Sequence, residues 1–327
     1  MRGKSNEHVT LQNFGAFFLQ EKFDAIYNQC NEEFKQLVSS EQFNEIAKAF
    51  NANVTNYELF RKSTINHVNH CTWIDAQQDK AINIIIDAHN IIHRLLLKPY
   101  VVFPESDKKY TQNTYMMPIK EEWYVFWGGA NEFVNYHYAY ETQRYAYDLV
   151  MMNNGTTYKD SAMVNDNYYA FNREVTAPAD GKVIKVVHDL KDNIPGEINE
   201  LEPAGNLIII EHKNNEYSMV AHLKNNSSRV HEGDKVRQGD VIALCGNSGN
   251  SSEPHIHFQV MDSPDYMSCK SIRIRFVDGK EPIQGDVIKN STIAKNQFDE
   301  KAGKLENTFN IVDLLLFIPR IISSLLK

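Results

Sequence analysis

The feature that most limits what this chain can fold into is the spacing of turn signals through its second half. Between residues 174 and 262, glycine, proline, asparagine and aspartate separate short runs rich in β-branched side chains. "EVTAPADGKVIKVV" places the pair Asp180-Gly181 between two extended runs, and "NLIIIEH" and "EYSMVAHL" flank "KNN". "VHEGDKVRQGDVIALCG" has glycines at regular short intervals. Turns recurring every ~8–12 residues leave no room for long helices and predict a mostly antiparallel all-β sandwich or barrel. "HDLKDNIPGEINELEPAGN", residues 188–206, interrupts the rhythm. A connection of that length is ordinarily functional or mobile.

The first half has a different period. Phe14, Phe17, Phe18, Phe23 and Ile26, then Phe34, Leu37 and Val38, then Phe43, Ile46 and Phe50 recur at spacings of three and four. That is the stripe of short amphipathic helices sharing one core. From Val54 the pattern becomes extended: "VTNYELFRKST", "NHVNHCTWIDA" and "KAINIIIDAHNIIHRLLL". Helices followed by antiparallel strands predict an α+β unit with the helices on one face of the sheet. Pro99, Pro104 and Pro118 then interrupt regular structure. The expected division is an α+β domain over 1–97, a linker over 98–122, an all-β domain over 123–290 and a tail over 291–327. A length of 327 residues suits two domains, each with its own core.

Charge and cysteine usage narrow the function. The net charge of −8 argues against nucleic acid or an anionic membrane as the main partner, since phosphate binding needs a basic surface. Cys30, Cys71, Cys245 and Cys269 are scattered, without the C-x-x-C pairs of a zinc ribbon, and read as buried thiols. The N-terminus "MRGKSNEHVTLQNFG" lacks the apolar core and cleavage site of a signal peptide, so an export leader is not expected in it. No run reaches the ~20 apolar residues of a spanning helix. The tail "NIVDLLLFIPRIISSLLK" is broken by Asp313, Pro319 and Arg320 and is expected to be a docked helix rather than a membrane-surface anchor.

The chemistry concentrates in "GNSSEPHIHFQVMD". Alternate residues of a strand share a face, so His255 and His257 stand side by side. Two adjacent imidazoles cannot both be comfortably charged, and a divalent metal resolves the conflict because neutral imidazole is a zinc ligand. Without a metal they would be two half-exposed histidines on a sheet. Pro254 can open the strand, and the preceding glycines set its start at a loop rim, where sites commonly lie. His222 ends the strand "EYSMVAHL", where its plain reading is a solvated strand end. Asp148 lies in the apolar run "QRYAYDLV", where a carboxylate is costly unless paired or metal-bound; its plain reading is an ion pair with Arg144.

With these residues in hand, the stretch from about 123 to 262 resembles the lysostaphin/LytM-type zinc metallopeptidases, which cleave peptide cross-links of bacterial cell walls. The matching segments are "VTAPADGKVIKV", "GNLIIIEHKNNEYSMVAHL", "VHEGDKVRQGDVIALCGNSGNSSEPHIHF" and, more loosely, "NYHYAYETQRYAYDLV". The resemblance implies one zinc held by Asp148 and His257, with His222 and His255 as an unligated catalytic pair. The common family form has its first histidine four residues before the aspartate, where this chain has Arg144. His137, eleven before Asp148, is the histidine that would take its place. Three protein ligands would leave zinc an open position for water, as in catalytic sites. The implied activity is metalloendopeptidase cleavage of peptidoglycan, in an extracytoplasmic setting.

Other readings compete. A catalytically silent relative that binds wall or regulates a hydrolase would ordinarily lose site histidines, and here they are present. "VTAPADGKVIKV" and "VHEGDKVRQGDVIAL" also look like the half-motifs of a biotinyl or lipoyl carrier, but no hairpin tip with a modifiable lysine lies between them. His89 and His93 in "HNIIH" have helical metal spacing, yet Asn90 stands where a catalytic glutamate would be. The surrounding run reads as one strand carrying ordinary histidines. His67, His70, His188, His212 and His231 show no partner pattern. Residues of about 8–97 resemble the small nuclear-transport-factor-like domain that often precedes such peptidases, chiefly through their helix-then-sheet order. That fold does not by itself imply a function.

Overall fold

The helical stripe becomes four short helices in the computed structural model, which describes residues 8–290. They are α1 (Phe14–Leu19), α2 (Phe23–Asn28), α3 (Glu32–Leu37) and α4 (Ser40–Asn51). Local chemistry starts the last two. The Asn31 side chain accepts from the Phe34 amide, and Ser39 and Gln42 form a reciprocal capping box. The helices precede an antiparallel meander of β1 (Tyr57–Ile65), β2 (Val68–Asp75), β3 (Lys80–Ile86) and β4 (Ile92–Pro99). Phe14, Phe18, Phe23 and Ile26 pack onto Cys71, Trp73, Ile82 and Ile84, so the helices cover one face of this sheet.

One expectation fails here. "INIIIDAHNIIHRLLL" is not a single strand but two, because Asp87 builds a turn between them. Its carboxylate accepts from the amides of His89 and Ile91, each at 2.9 Å, and Asn90 takes a φ of 61°. His89 is therefore exposed in a turn, while His93 lies on β4 and meets Asp87 at 3.0 Å.

The rest of the sheet structure is β5 (Trp123–Trp127), β6 (Tyr147–Val150), β7 (Glu174–Thr176), β8 (Gly181–Val187), β9 (Asn206–Glu211), β10 (Tyr217–Leu223), β11 (Lys235–Val236), β12 (Val241–Leu244), β13 (Ile256–Met261) and β14 (Val287–Ile288). Eight of these form one antiparallel sheet in the order β11-β8-β9-β10-β13-β6-β5-β14, and β12 pairs with β7. Alternation gives this sheet two unlike faces. Tyr147, Leu149, Ile256, Phe258, Val220 and Ile208 point into the main core. Leu207, Ile209, Met219, Ala221 and Met261 form a smaller cluster on the other face. Tyr115, Met117 and Ile119, from the proline-bearing segment 98–122, join the main core.

Clustering of contacts gives two compact units. Among the described residues, one comprises 8–105 with the short segments 130–139 and 154–156, and the other takes the rest up to 290. The four cysteines are buried free thiols. Among the described residues, no helix is long and apolar enough to cross a membrane. The expected tail helix of 291–327 lies outside the described residues.

Candidate metal centre

The site begins with register. Asp148 on β6 and His257 on β13 are direct cross-strand partners, and His257 faces Ala221 of β10 on its other side. Both point away from the main core, because their neighbours Leu149, Ile256 and Phe258 point into it. His257 Nδ1 lies 2.9 Å from Asp148 Oδ1, and both residues are buried. His255, two residues earlier, brings Nε2 to 3.9 Å from the same oxygen.

His222 reaches this group by a local irregularity. Strict alternation would turn it to the face opposite Ala221. The pairing of β10 with β9 instead slips between Val220 and Leu223, and His222 takes a left-handed φ of 60°. A non-glycine residue held there stores strain, a feature that concentrates at functional sites. The twist brings its ring centroid to 4.6 Å from His255 and 5.9 Å from His257. His222 is not a solvated strand end: it is 7% exposed.

Backbone carbonyls set the tautomers of the two outer histidines. His222 Nδ1 donates to the Ser248 carbonyl at 2.8 Å, and His255 Nδ1 donates to the Glu253 carbonyl at 2.8 Å. In the neutral rings each Nε2 then carries a lone pair. Burial, and after it the neighbouring His255 and His257, hold the His222 ring well below its ordinary pKa, so it stays neutral. Burial also pulls His257 down, but the hydrogen bond and charge of Asp148 outweigh it and raise this ring in the metal-free protein.

Gln259 is a participant that the sequence reading passed over. Its amide nitrogen donates to the Thr142 carbonyl at 3.0 Å, which turns Oε1 toward His257 Nε2 at 2.9 Å. His257 thus has its Nε2–H held and its Nδ1 facing Asp148, the orientation that outer partners impose on a ligating imidazole. The signal was present in "HIHFQ": Gln259 shares the face of both histidines by alternation alone. The long connection 188–206 is also tied down. Asn193 Nδ2 donates to the carbonyls of Gly249 and Ser251, and the Asn199 amide to that of Gly249. These bonds brace the loop that carries Ser248 and leads into His255.

His137 sits on a single turn of 3₁₀ helix, Tyr136–Ala139, and is buried. Its amide donates to the Asn135 side chain at 3.2 Å. One potential ligand atom each from His137, Asp148 and His257 lies within 4.8 Å of the others. Two imidazoles and a carboxylate are a donor set that suits zinc. His89, by contrast, is exposed in its turn, and His212 is committed to the Asp180 carbonyl and Ser218.

A buried carboxylate flanked by histidines on an antiparallel sheet is a donor set of the kind catalytic metal sites use. Residues 166–269 match the model of peptidase family M23, so this part of the chain resembles a metallopeptidase domain of the lysostaphin/LytM type. The chain is 36% identical over 72 residues to an uncharacterized metalloprotease of Buchnera aphidicola, a match covering 22% of this chain and 19% of that protein. It is 36% identical over 58 residues to the peptidoglycan DD-endopeptidase ShyA of Vibrio cholerae, covering 18% of this chain and 13% of that protein. The catalytic domain of lysostaphin from Staphylococcus simulans aligns at 21% identity with a TM-score of 0.27, over 46% of this chain and 88% of that domain. The matches to the two curated relatives thus span less than a fifth of either protein.

Proposed function

We propose that the second half of the chain is a zinc-dependent endopeptidase that hydrolyses peptide cross-links of peptidoglycan, with Asp148, His257 and His137 as ligands. The observation that carries this reading is the convergence of four buried groups, Asp148, His222, His255 and His257, at one end of a sheet face. The ligand atom that His137 offers beside Asp148 and His257 supports it as the third ligand. When bound, zinc supplies Lewis acidity at the scissile carbonyl and a nucleophile from water at neutral pH. The residues do the rest. His222 and His255, each with Nδ1 tied to a carbonyl, offer Nε2 to take a proton from the attacking water. Once protonated, the same nitrogens donate to the developing oxyanion and to the departing amine. Asp148 and Gln259 fix the imidazole of His257 from its two sides.

The domain division that goes with this reading is 1–97, 98–122 and 123–290, the first domain being nuclear-transport-factor-like through its helices laid on a four-stranded sheet. The test is metal analysis with cleavage of purified wall peptides. The reading expects about one zinc per chain and peptide release that chelation abolishes. Zinc-loaded protein that binds sacculi but never releases peptides would instead make the domain a wall-binding regulator.

A further inference from the structure

The face of the first sheet that α1–α4 leave uncovered contains an anomaly. Register sets Ser63, His70, Ile85 and Arg94 side by side across β1 to β4. In the next row the buried polar groups are paired: Asn83 Nδ2 donates to Thr72 Oγ1 at 3.0 Å. In the row of Arg94, Arg94 and the His70 Nε2 are not. Arg94 is partly buried and has no hydrogen bond or ion pair among the described residues. Burial alone pulls its guanidinium below its ordinary range, with no acidic group opposing. His70 Nε2 is shielded from solvent and likewise lacks a partner.

A partly buried guanidinium without a counter-charge is costly, and a ring nitrogen shielded from solvent ordinarily has a hydrogen-bond partner. An unpaired guanidinium and an unpartnered ring nitrogen on one sheet face suit an anion. We propose that the first unit binds a small carboxylate ligand on the helix-free face of its sheet, with the Arg94 guanidinium as charged anchor and His70, in its Nε2–H tautomer, as second donor. The guanidinium fork meets both oxygens of a carboxylate. Charge selects between oxyanions. Burial, then the nearby Arg94, push His70 down to about 4, so it adds no positive charge at neutral pH. One guanidinium balances a monoanion, whereas a phosphate dianion would bring a second charge that nothing here offsets. The proposal does not depend on the peptidase reading.

The experiment titrates the full chain with N-acetyl-alanine, succinate, N-acetyl-alanine amide and inorganic phosphate, following melting temperature and chemical shifts of β2 and β4. Saturable binding of N-acetyl-alanine with none of its amide is expected; succinate binding equally well identifies a free acid rather than a peptide end as the source. Arg94→Met is expected to abolish this binding while the ligand-free variant melts higher than wild type, because an unpaired charge has been removed. Arg94→Lys, which keeps charge and loses the fork, is expected to fold normally and bind about tenfold more weakly. Binding that survives in both variants, equal binding of the amide, preference for phosphate, or an Arg94→Met variant that melts lower and shows no carboxylate linkage would each overturn the proposal.

Discussion

The two antiparallel sheets of this chain both bury polar side chains in rows across neighbouring strands, and they treat them in opposite ways. In the large sheet Asp148, His257 and Gln259 complete one another, and the chain ends on the Thr142 carbonyl. In the small sheet Arg94 and the His70 Nε2 have no such partners among the described residues. A row that satisfies itself is rigid before any ligand arrives, which is what a catalytic centre needs, since its groups must not reorganise during the reaction. A row that leaves donors unmet gains its stability only when something binds. The contrast turns on single positions: Gln259 is the residue that makes the first row complete.

The strongest way to break the contrast is to remove a proposed ligand. Asp148→Ala or His257→Ala is expected to lose the metal and to lower peptide cleavage on the order of 10³-fold or more. Either variant retaining both zinc and hydrolysis would contradict the metal assignment. His222→Ala and His255→Ala separate metal holding from proton transfer. Each should keep its zinc while cleavage falls by roughly 10²–10⁴-fold, the usual contribution of a general acid or base. Metal loss in these variants would place the histidines among the ligands.

Gln259→Leu tests the completing residue itself. The swap leaves the His257 Nε2–H without its acceptor in a buried position. Loss of such an outer partner ordinarily lowers metal affinity or activity about 10–100-fold, read here by competition with a chelator. Unchanged affinity would show that β6 and β10 alone hold the ring. A smaller effect is expected from Gly205→Ala. Gly205 has a φ of 60°, and a methyl group there would meet the Ser248 carbonyl oxygen at 2.4 Å, the atom that accepts from His222. The variant should lose about 1–3 kcal/mol of stability and move His222, so kcat should fall further than zinc content. Equal losses of both would mean a general loosening.

These residues differ in how far the sequence exposes them. The strands of the second half were legible because turn residues punctuate them. The association of Asp148 with His257 came from the family resemblance, since alternation gives the face of each side chain but not which strands pair. The place of His222 was not legible: it depends on a left-handed backbone at a register slip, and the sequence around it reads as an ordinary strand end. The turn at 87–91 was hidden by isoleucines on both sides, since nothing apolar marks where a strand reverses, and only Asp87 carried the signal. The bracing of 188–206 could not be read either, because its bonds run to carbonyls of the 246–255 loop and backbone carbonyls have no sequence signature.

The smallest expected effect concerns His70 and acid. Burial and Arg94 depress this ring from 6.5 to about 4 in the folded protein. Below pH 6.5 the unfolded chain therefore binds a proton that the folded chain refuses. The contribution of the neutral ring to stability is complete above pH 6.5, falls as pH drops below that value, and is gone below about 4. The full shift would amount to about 3 kcal/mol, and partial exposure of the residue reduces this to about 1–2 kcal/mol. Denaturant unfolding of the first unit, followed by Trp73 fluorescence, should thus show stability declining from pH 6.5 to 4. In His70→Leu this part of the decline should flatten, and saturating N-acetyl-alanine should alter the slope in wild type but not in Arg94→Met. If His70→Leu keeps the wild-type slope, the ring is not the titrating group, and the small sheet loses the neutral donor on which its contrast with the large one depends.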